Sequence, residues 1–170
     1  MSAEITAPVE RAVGAVRQLG IPVLPNSNIV TSYVRASAEG FGQSLFEPPN
    51  VAGWPGQRNW ISSTTLLARN VFTDSLVTGR TYTNTNIGFK VNPITFALQF
   101  PNPNDAVGLV NAIAAFLIPL PTSDARRAML LETLLQGIEV YDWYINDPQA
   151  PARIEGLLKV IFRMAEYQLG

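Results

Sequence analysis

Apolar positions recur at helical spacing through most of the chain. Val9, Ala12, Val13, Val16 and Leu19 fall at i, i+3, i+4, i+7 and i+10 and predict a helix over 6–19. Pro8 suits its first position, where a missing N–H costs nothing, and Gly20 suits the residue just past its end. Glu10 sits in the first turn, where an acid complements the helix dipole. Arg11 and Arg17 are then expected on or beside a solvated polar face. The connector 21–28 holds two prolines, and Asn26 or Ser27 is placed to cap a second helix over 28–45. Ile29, Val30, Tyr33, Val34, Phe41 and Leu45 form its stripe. Gly40 and Gly42, late in that helix, predict either close approach of another backbone or an early end.

The helical pattern then stops. In Phe46-Glu47-Pro48-Pro49-Asn50-Val51-Ala52-Gly53-Trp54-Pro55-Gly56-Gln57-Arg58-Asn59-Trp60 the paired prolines forbid helix, and Asn50, Gly53 and Pro55-Gly56 are turn signals. The reading is a rigid Pro/Gly/Trp loop whose Trp54 tucks into the core, followed by a helix over 60–77 capped by Asn59. Trp60, Thr64, Leu67 and Val71 share one face of that helix, with Ile61, Thr65, Ala68 and Phe72 beside them. Ser62 and Ser63 in its first turn are expected to be solvated or self-capping, with an anion site as the sharper alternative.

Residues 78–104 read as one long polar loop, within which 94–100 fits a short helix or a strand. Asn104 or Asp105 caps a largely apolar helix through Val107, Val110, Ile113, Ala114 and Leu117, ended by Pro119 and Pro121. Thr122 or Ser123 caps the next, through Leu130, Leu131, Leu134, Leu135 and Ile138. An aromatic cluster of Tyr141, Trp143 and Tyr144 follows, and Asn146-Asp147-Pro148 breaks the chain. The last helix runs from about 150 to 166 on a stripe of Ile154, Leu157, Leu158, Ile161, Met164 and Ala165. The fold class is therefore all-α, an irregular bundle of about six helices within a single domain over 1–170.

Composition narrows the chemistry. Charged residues make up only 15% of the 170 and the net charge is −1, with no basic face, so a nucleic-acid partner is not expected. The longest apolar run, 112–120, is about half of a membrane span, and the N-terminus lacks the regions of a signal peptide. With no His and no Cys, the chain lacks an imidazole base, a thiolate nucleophile and the commonest zinc ligands. Lys90 and Lys159 lie near no serine motif, so serine–lysine catalysis is not expected. Carboxylate pairs remain: Glu47, Glu132, Glu139 and Asp142, of which the last two are three apart and fit one helix face. No catalytic residue, metal site or cofactor is predicted. Candidate binding residues are Trp54, Arg58, Asn59, Trp60 and Trp143, aromatic faces beside polar groups. Arg58 and Arg69 flank the predicted helix start and are placed to bond loop carbonyls, or a carboxylate or phosphate.

The segment Gly42-Gln43-Ser44-Leu45-Phe46-Glu47-Pro48-Pro49-Asn50-Val51-Ala52-Gly53-Trp54-Pro55-Gly56, followed by Trp60-Ile61-Ser62-Ser63, resembles the C-terminal region of bacterial proteins carrying the domain of unknown function 1800. Ala7-Pro8-Val9-Glu10 resembles that family's Ser-Pro-x-Glu helix start with Ala7 in place of Ser. Ala165-Glu166-Tyr167-Gln168 resembles its closing Pro-Glu-Tyr/Phe-Gln with Ala165 in place of Pro. The resemblance brings no reaction and no catalytic residue. It implies a cell-envelope or secreted location and a chain that is the C-terminal fragment of a longer architecture. Together these readings make the expected function a non-enzymatic interaction or structural module, with a protein partner or the missing N-terminal half as its ligand. The alternative is a carbohydrate-binding or carbohydrate-acting domain using Trp54 and Trp143 with nearby carboxylates.

Overall fold

The computed structural model describes residues 4–25, 27–54 and 56–169. Its α-helices are α1 (Pro8–Gln18), α2 (Ile29–Gly40), α3 (Ser63–Thr78), α4 (Pro93–Ala97), α5 (Ala106–Leu117), α6 (Asp124–Leu135) and α7 (Ala150–Arg163). Short 3₁₀ turns cover Gln57–Trp60, Val140–Asp142 and Ala165–Gln168. Among the described residues there is no sheet, only two isolated bridges. The protein is all-α, and the helix beyond the six expected is the short α4.

The chain divides into two compact units, one made of the residues up to Val91 with Gln168 and Leu169, the other of Asn92–Tyr167. In the first, α1 packs on α2, and both pack on α3. α1 ends as its sequence demands. Gly20 takes φ +63°, its N–H bonds Arg17 O at 3.0 Å, and Ile21 N–H bonds Val16 O at 3.1 Å, closing a Schellman motif over two buried side chains. α2 ends the same way, five residues earlier than its stripe predicts. Gly42 takes φ +100°, its N–H bonds Glu39 O at 2.9 Å, and Gln43 N–H bonds Ala38 O at 3.0 Å. Of the two readings of Gly40 and Gly42, early termination holds, since nothing lies within 4 Å of where a Cβ would stand at either. Asn28 occupies the start of α2 without a side-chain cap; of the two predicted caps, Ser27 is not used and Asn26 lies outside the described residues.

The third helix begins at Ser63, not at Trp60. Ile61 is extended, and Ser62 closes a capping box: Thr65 N–H donates to Ser62 Oγ at 3.1 Å and Ser62 N–H donates to Thr65 Oγ1 at 2.8 Å. This reciprocal pair outcompetes Asn59, whose side chain instead donates to Gly56 O at 3.3 Å. Gly79, at φ +74°, terminates α3. Tyr33 stacks on Phe72, Phe41 meets Phe72 edge-on, and Phe89 meets Tyr33 edge-on, so these four rings form one chain of contacts.

In the second unit Asp105 caps α5 and Ser123 caps α6, as their positions predict. The 94–100 stretch resolves as helix over Pro93–Ala97, capped by Asn92. α7 packs against α4 and α6, and α5 packs on α6. Leu109, Ile113, Leu130, Leu134, Ile154 and Leu157 are fully buried, each contributing about 1.5–3 kcal/mol of apolar burial. α6 stops at Leu135 because Gln136 and Gly137 both take positive φ, which leaves Ile138 outside the helix. The buried Arg153 of α7 donates through Nη1 to Leu135 O, supplying a partner to a carbonyl at the end of α6. α7 ends at Arg163, three residues before its predicted end, and passes into the Ala165–Gln168 turn.

Candidate functional site

Between α2 and α3 the chain carries its least core-like segment. Leu45, Phe46, Glu47, Pro48, Pro49, Asn50, Val51 and Ala52 are all exposed, Phe46 at 92% and Val51 completely. Local bonds hold the loop. Ser44 Oγ donates to Glu47 Oε2 at 3.0 Å, and Ala52 N–H donates to Asn50 Oδ1 at 2.9 Å, an Asx turn. Gly53 N–H bonds Asn50 O at 3.0 Å with Gly53 at φ +89°. Phe46 itself takes φ +65°, a conformation that costs a bulky residue about 1–3 kcal/mol.

The five predicted binding residues do not form one surface. Trp54 is half-buried and makes no ring contact or indole hydrogen bond among the described residues, so it does not anchor the loop in the core. Trp60 takes that place instead, at 6% exposure. The reason is local: the 3₁₀ turn Gln57–Trp60 swings the second indole inward, while the turn at Asn50–Gly53 leaves the first at the surface. Arg58 and Asn59 are exposed, and the Arg58 side chain makes no hydrogen bond or ion pair among the described residues. In the other unit Trp143 is 4% exposed and donates its indole N–H to Pro103 O at 2.9 Å. Its neighbours Tyr141 and Tyr144 stay at the surface, so the predicted aromatic cluster splits.

The carboxylate candidates all lie at the surface. Glu47, Glu132, Glu139 and Asp142 are all exposed. Glu139 and Asp142 bracket a 3₁₀ turn instead of lying within an α-helix, and Asp142 N–H bonds Glu139 O at 3.0 Å. The Ser62 and Ser63 turn is self-capped. Among the described residues no three acidic side chains gather into a set able to hold a metal ion, and no helix is long and apolar enough to cross a membrane.

The residues that resemble family motifs do converge elsewhere in the first unit. Gln43 Oε1 accepts from Val9 N–H at 3.1 Å, at the open N-terminus of α1. Ala7, the N-cap, has no side-chain acceptor, so the glutamine from beyond α2 takes up a donor that a local cap would have taken. Arg69 of α3, only 1% exposed, donates through Nη2 to Thr6 O at 3.1 Å and through Nη1 to Gln168 Oε1 at 3.4 Å. Its guanidinium lies 5.8 Å from the Phe41 ring centroid. Thr6 N–H also bonds Gln168 O at 3.2 Å, and Ile5 bridges Leu169 antiparallel. Arg69 thus fastens the two chain ends to α3, which settles its role as a bond to backbone and amide oxygens. Burial, and then the cation of Arg11, hold its pKa down to about 10, below the ordinary arginine value. Arg11, expected in solvent, is itself buried, with Nη2 donating to Thr6 Oγ1 at 3.2 Å. No sequence signal marked Arg69 as buried, because its oxygen partners come from the far ends of the chain.

No curated protein and no solved structure matches this chain. One family does, over residues 2–169, which is nearly the whole sequence and includes the three motif segments. The chain belongs to the family described as protein of unknown function (DUF1800).

Proposed function

We propose that this chain is a non-enzymatic interaction module of the bacterial cell envelope that captures a protein partner through its Pro-Pro loop. The observation that carries the reading is Phe46. Its side chain is 92% exposed and its backbone sits at φ +65°. Both features cost stability, and the exposed ring returns none of it through packing. Val51, fully exposed in the same loop, and half-exposed Leu45 extend the apolar surface. Prolines 48 and 49 limit the conformations the loop loses on binding, which favours affinity. The envelope location rests on the family resemblance alone. The carbohydrate alternative has less support, since Trp143 lies in the core and only Trp54 keeps part of a face open.

A photo-crosslinking residue placed at 46 or 51 in cells tests the reading, with Tyr141, exposed in the other unit, as control position. One discrete protein adduct from 46 and 51 and none from 141 is expected. The companion variant Phe46→Gly removes both the ring and the backbone strain. It should fold at least as stably as the unaltered chain and lose the adduct partner. Adducts equal at all three positions, or a partner retained by Phe46→Gly, would reject the loop as the binding surface.

A further inference from the structure

A second feature of the first unit, independent of the loop's exposed tip, has the make-up of a small-molecule site. A groove of about 460 Å³ runs between α1 and α2. That lies within the range of ligand pockets. Val9, Val13 and Val16 form one wall and Val30, Val34 and Ala38 the other. The charged residues lining it are Arg17 and Arg35, and no acid joins them. Both arginines are exposed, and neither guanidinium makes a hydrogen bond or ion pair among the described residues. The remaining polar group, the Thr31 hydroxyl, already donates to Asn28 O at 3.1 Å.

The packing of α1 on α2 places both cations on the groove. The bond from Val9 N–H to Gln43 Oε1 sets the start of α1 against the end of α2, so the helices run antiparallel. Arg17 lies eight residues beyond Val9 and Arg35 eight before Gln43. Both side chains line the groove between the two helices. Two guanidiniums lining an aliphatic trough match an anion with an apolar tail. Guanidinium suits a carboxylate in particular, because its forked donors fit two oxygens. The walls favour an alkyl chain over protein side chains. They contain no aromatic residue and no methionine, the types that form anchor pockets for a partner, and Val23 and Leu45 complete the aliphatic lining.

We propose that the α1–α2 groove binds a single-chain aliphatic carboxylate, with the alkyl chain along the valines and the carboxylate on Arg17 and Arg35. The test is calorimetric titration of the full chain with dodecanoate below its micelle concentration. Dodecyl maltoside, with the same alkyl chain and no charge, is titrated in parallel. Saturable one-to-one binding of dodecanoate is expected, about tenfold or more tighter than the maltoside. The double variant Arg17→Gln/Arg35→Gln alters two exposed side chains and should fold normally. It should lose that preference, and amide shifts on dodecanoate addition should centre on Val13 and Val34. No saturable binding overturns the proposal. Equal affinity for both amphiphiles, or dodecanoate binding undiminished in the double variant, also overturns it. So would an acidic amphipathic peptide that displaces dodecanoate and itself binds more tightly.

Discussion

The bond between Gln43 and α1 supports a prediction that can be worked through in numbers. An N-terminal helix turn has donors with no intrahelical partner, and a capping side chain adds about 1 kcal/mol, with a range of 0.5–2. Ala7 cannot supply that acceptor; Gln43 Oε1 does, at 3.1 Å from Val9 N. Gln43→Ala removes it and leaves a half-buried N–H to find water. The expected loss is about 1–2 kcal/mol, the upper end reflecting the orphaned donor. That corresponds to a fall of about 2–8 °C in melting temperature for a chain of this size.

Two further variants make the test sharp. Gln43→Glu keeps the acceptor and places a negative charge at the positive end of α1, so it should match or exceed the unaltered chain by up to about 1 kcal/mol. Ala7→Ser on the Gln43→Ala background should recover about half of the loss or more. The introduced serine would stand three residues before Glu10, the spacing of a capping box, and Ala7 already has the extended backbone of a cap at φ −59° and ψ 149°. Urea unfolding followed by tryptophan fluorescence gives the energies, and amide exchange at Val9 and Glu10 locates them. If Gln43→Ala leaves both the midpoint and Val9 exchange unchanged, the cross-element cap contributes nothing. If Ala7→Ser restores nothing, the loss came from another contact of Gln43.

Trp143→Phe should cost about 1–3 kcal/mol by orphaning Pro103 O, while Trp54→Phe should be nearly neutral; parallel urea melts of the two variants check the contrast. Arg69 predicts a pH effect of definite sign. Its folded pKa of about 10 lies below the ordinary arginine value, so between the two the unfolded chain holds more protons and stability contributed by this group rises with pH. Relative to Arg69→Met, the unaltered chain should therefore gain stability as pH rises from 9.5 to 11. A parallel or falling difference in denaturation midpoint would reject that account.

Much of the fold is readable where the information is local. Pro8 and Gly20 bracket α1, Asp105 and Ser123 open α5 and α6, and the stripe of α7 is buried as its period requires. The errors have physical sources as well. A stripe continued through Leu45 suggested a longer α2, but Gly42 offered a backbone conformation that closed a Schellman motif first. Asn59 was an acceptable cap, but Ser62 and Thr65 satisfy two donors where Asn59 would satisfy one. Trp54 and Trp60 could not be separated by composition, because their burial depends on which side of two consecutive turns each falls. Arg11 and Arg69 illustrate the harder limit. A buried cation is tolerable only where oxygen acceptors meet it, and the acceptors of Arg69 belong to residues 6 and 168.

That distance in sequence also explains a division within the motif around the Pro-Pro loop. Gln43 at its start works inside the fold by completing α1, while Arg69 and Gln168 tie the chain ends to α3. The string from Phe46 to Ala52, only a few residues later, supplies no buried side chain. Its internal bonds, from Ser44 to Glu47 and from Ala52 to Asn50, fix its own shape and hold nothing else in place. A segment that is braced, apolar, exposed and strained at Phe46 is poorly explained by fold stability. Stability alone would favour glycine at 46 and polar side chains around it. The chemistry of the loop is therefore better accounted for by what it meets outside the chain. Melting Phe46→Gly tests that separation directly: a fall of more than about 1 kcal/mol would show that the ring packs into the fold after all.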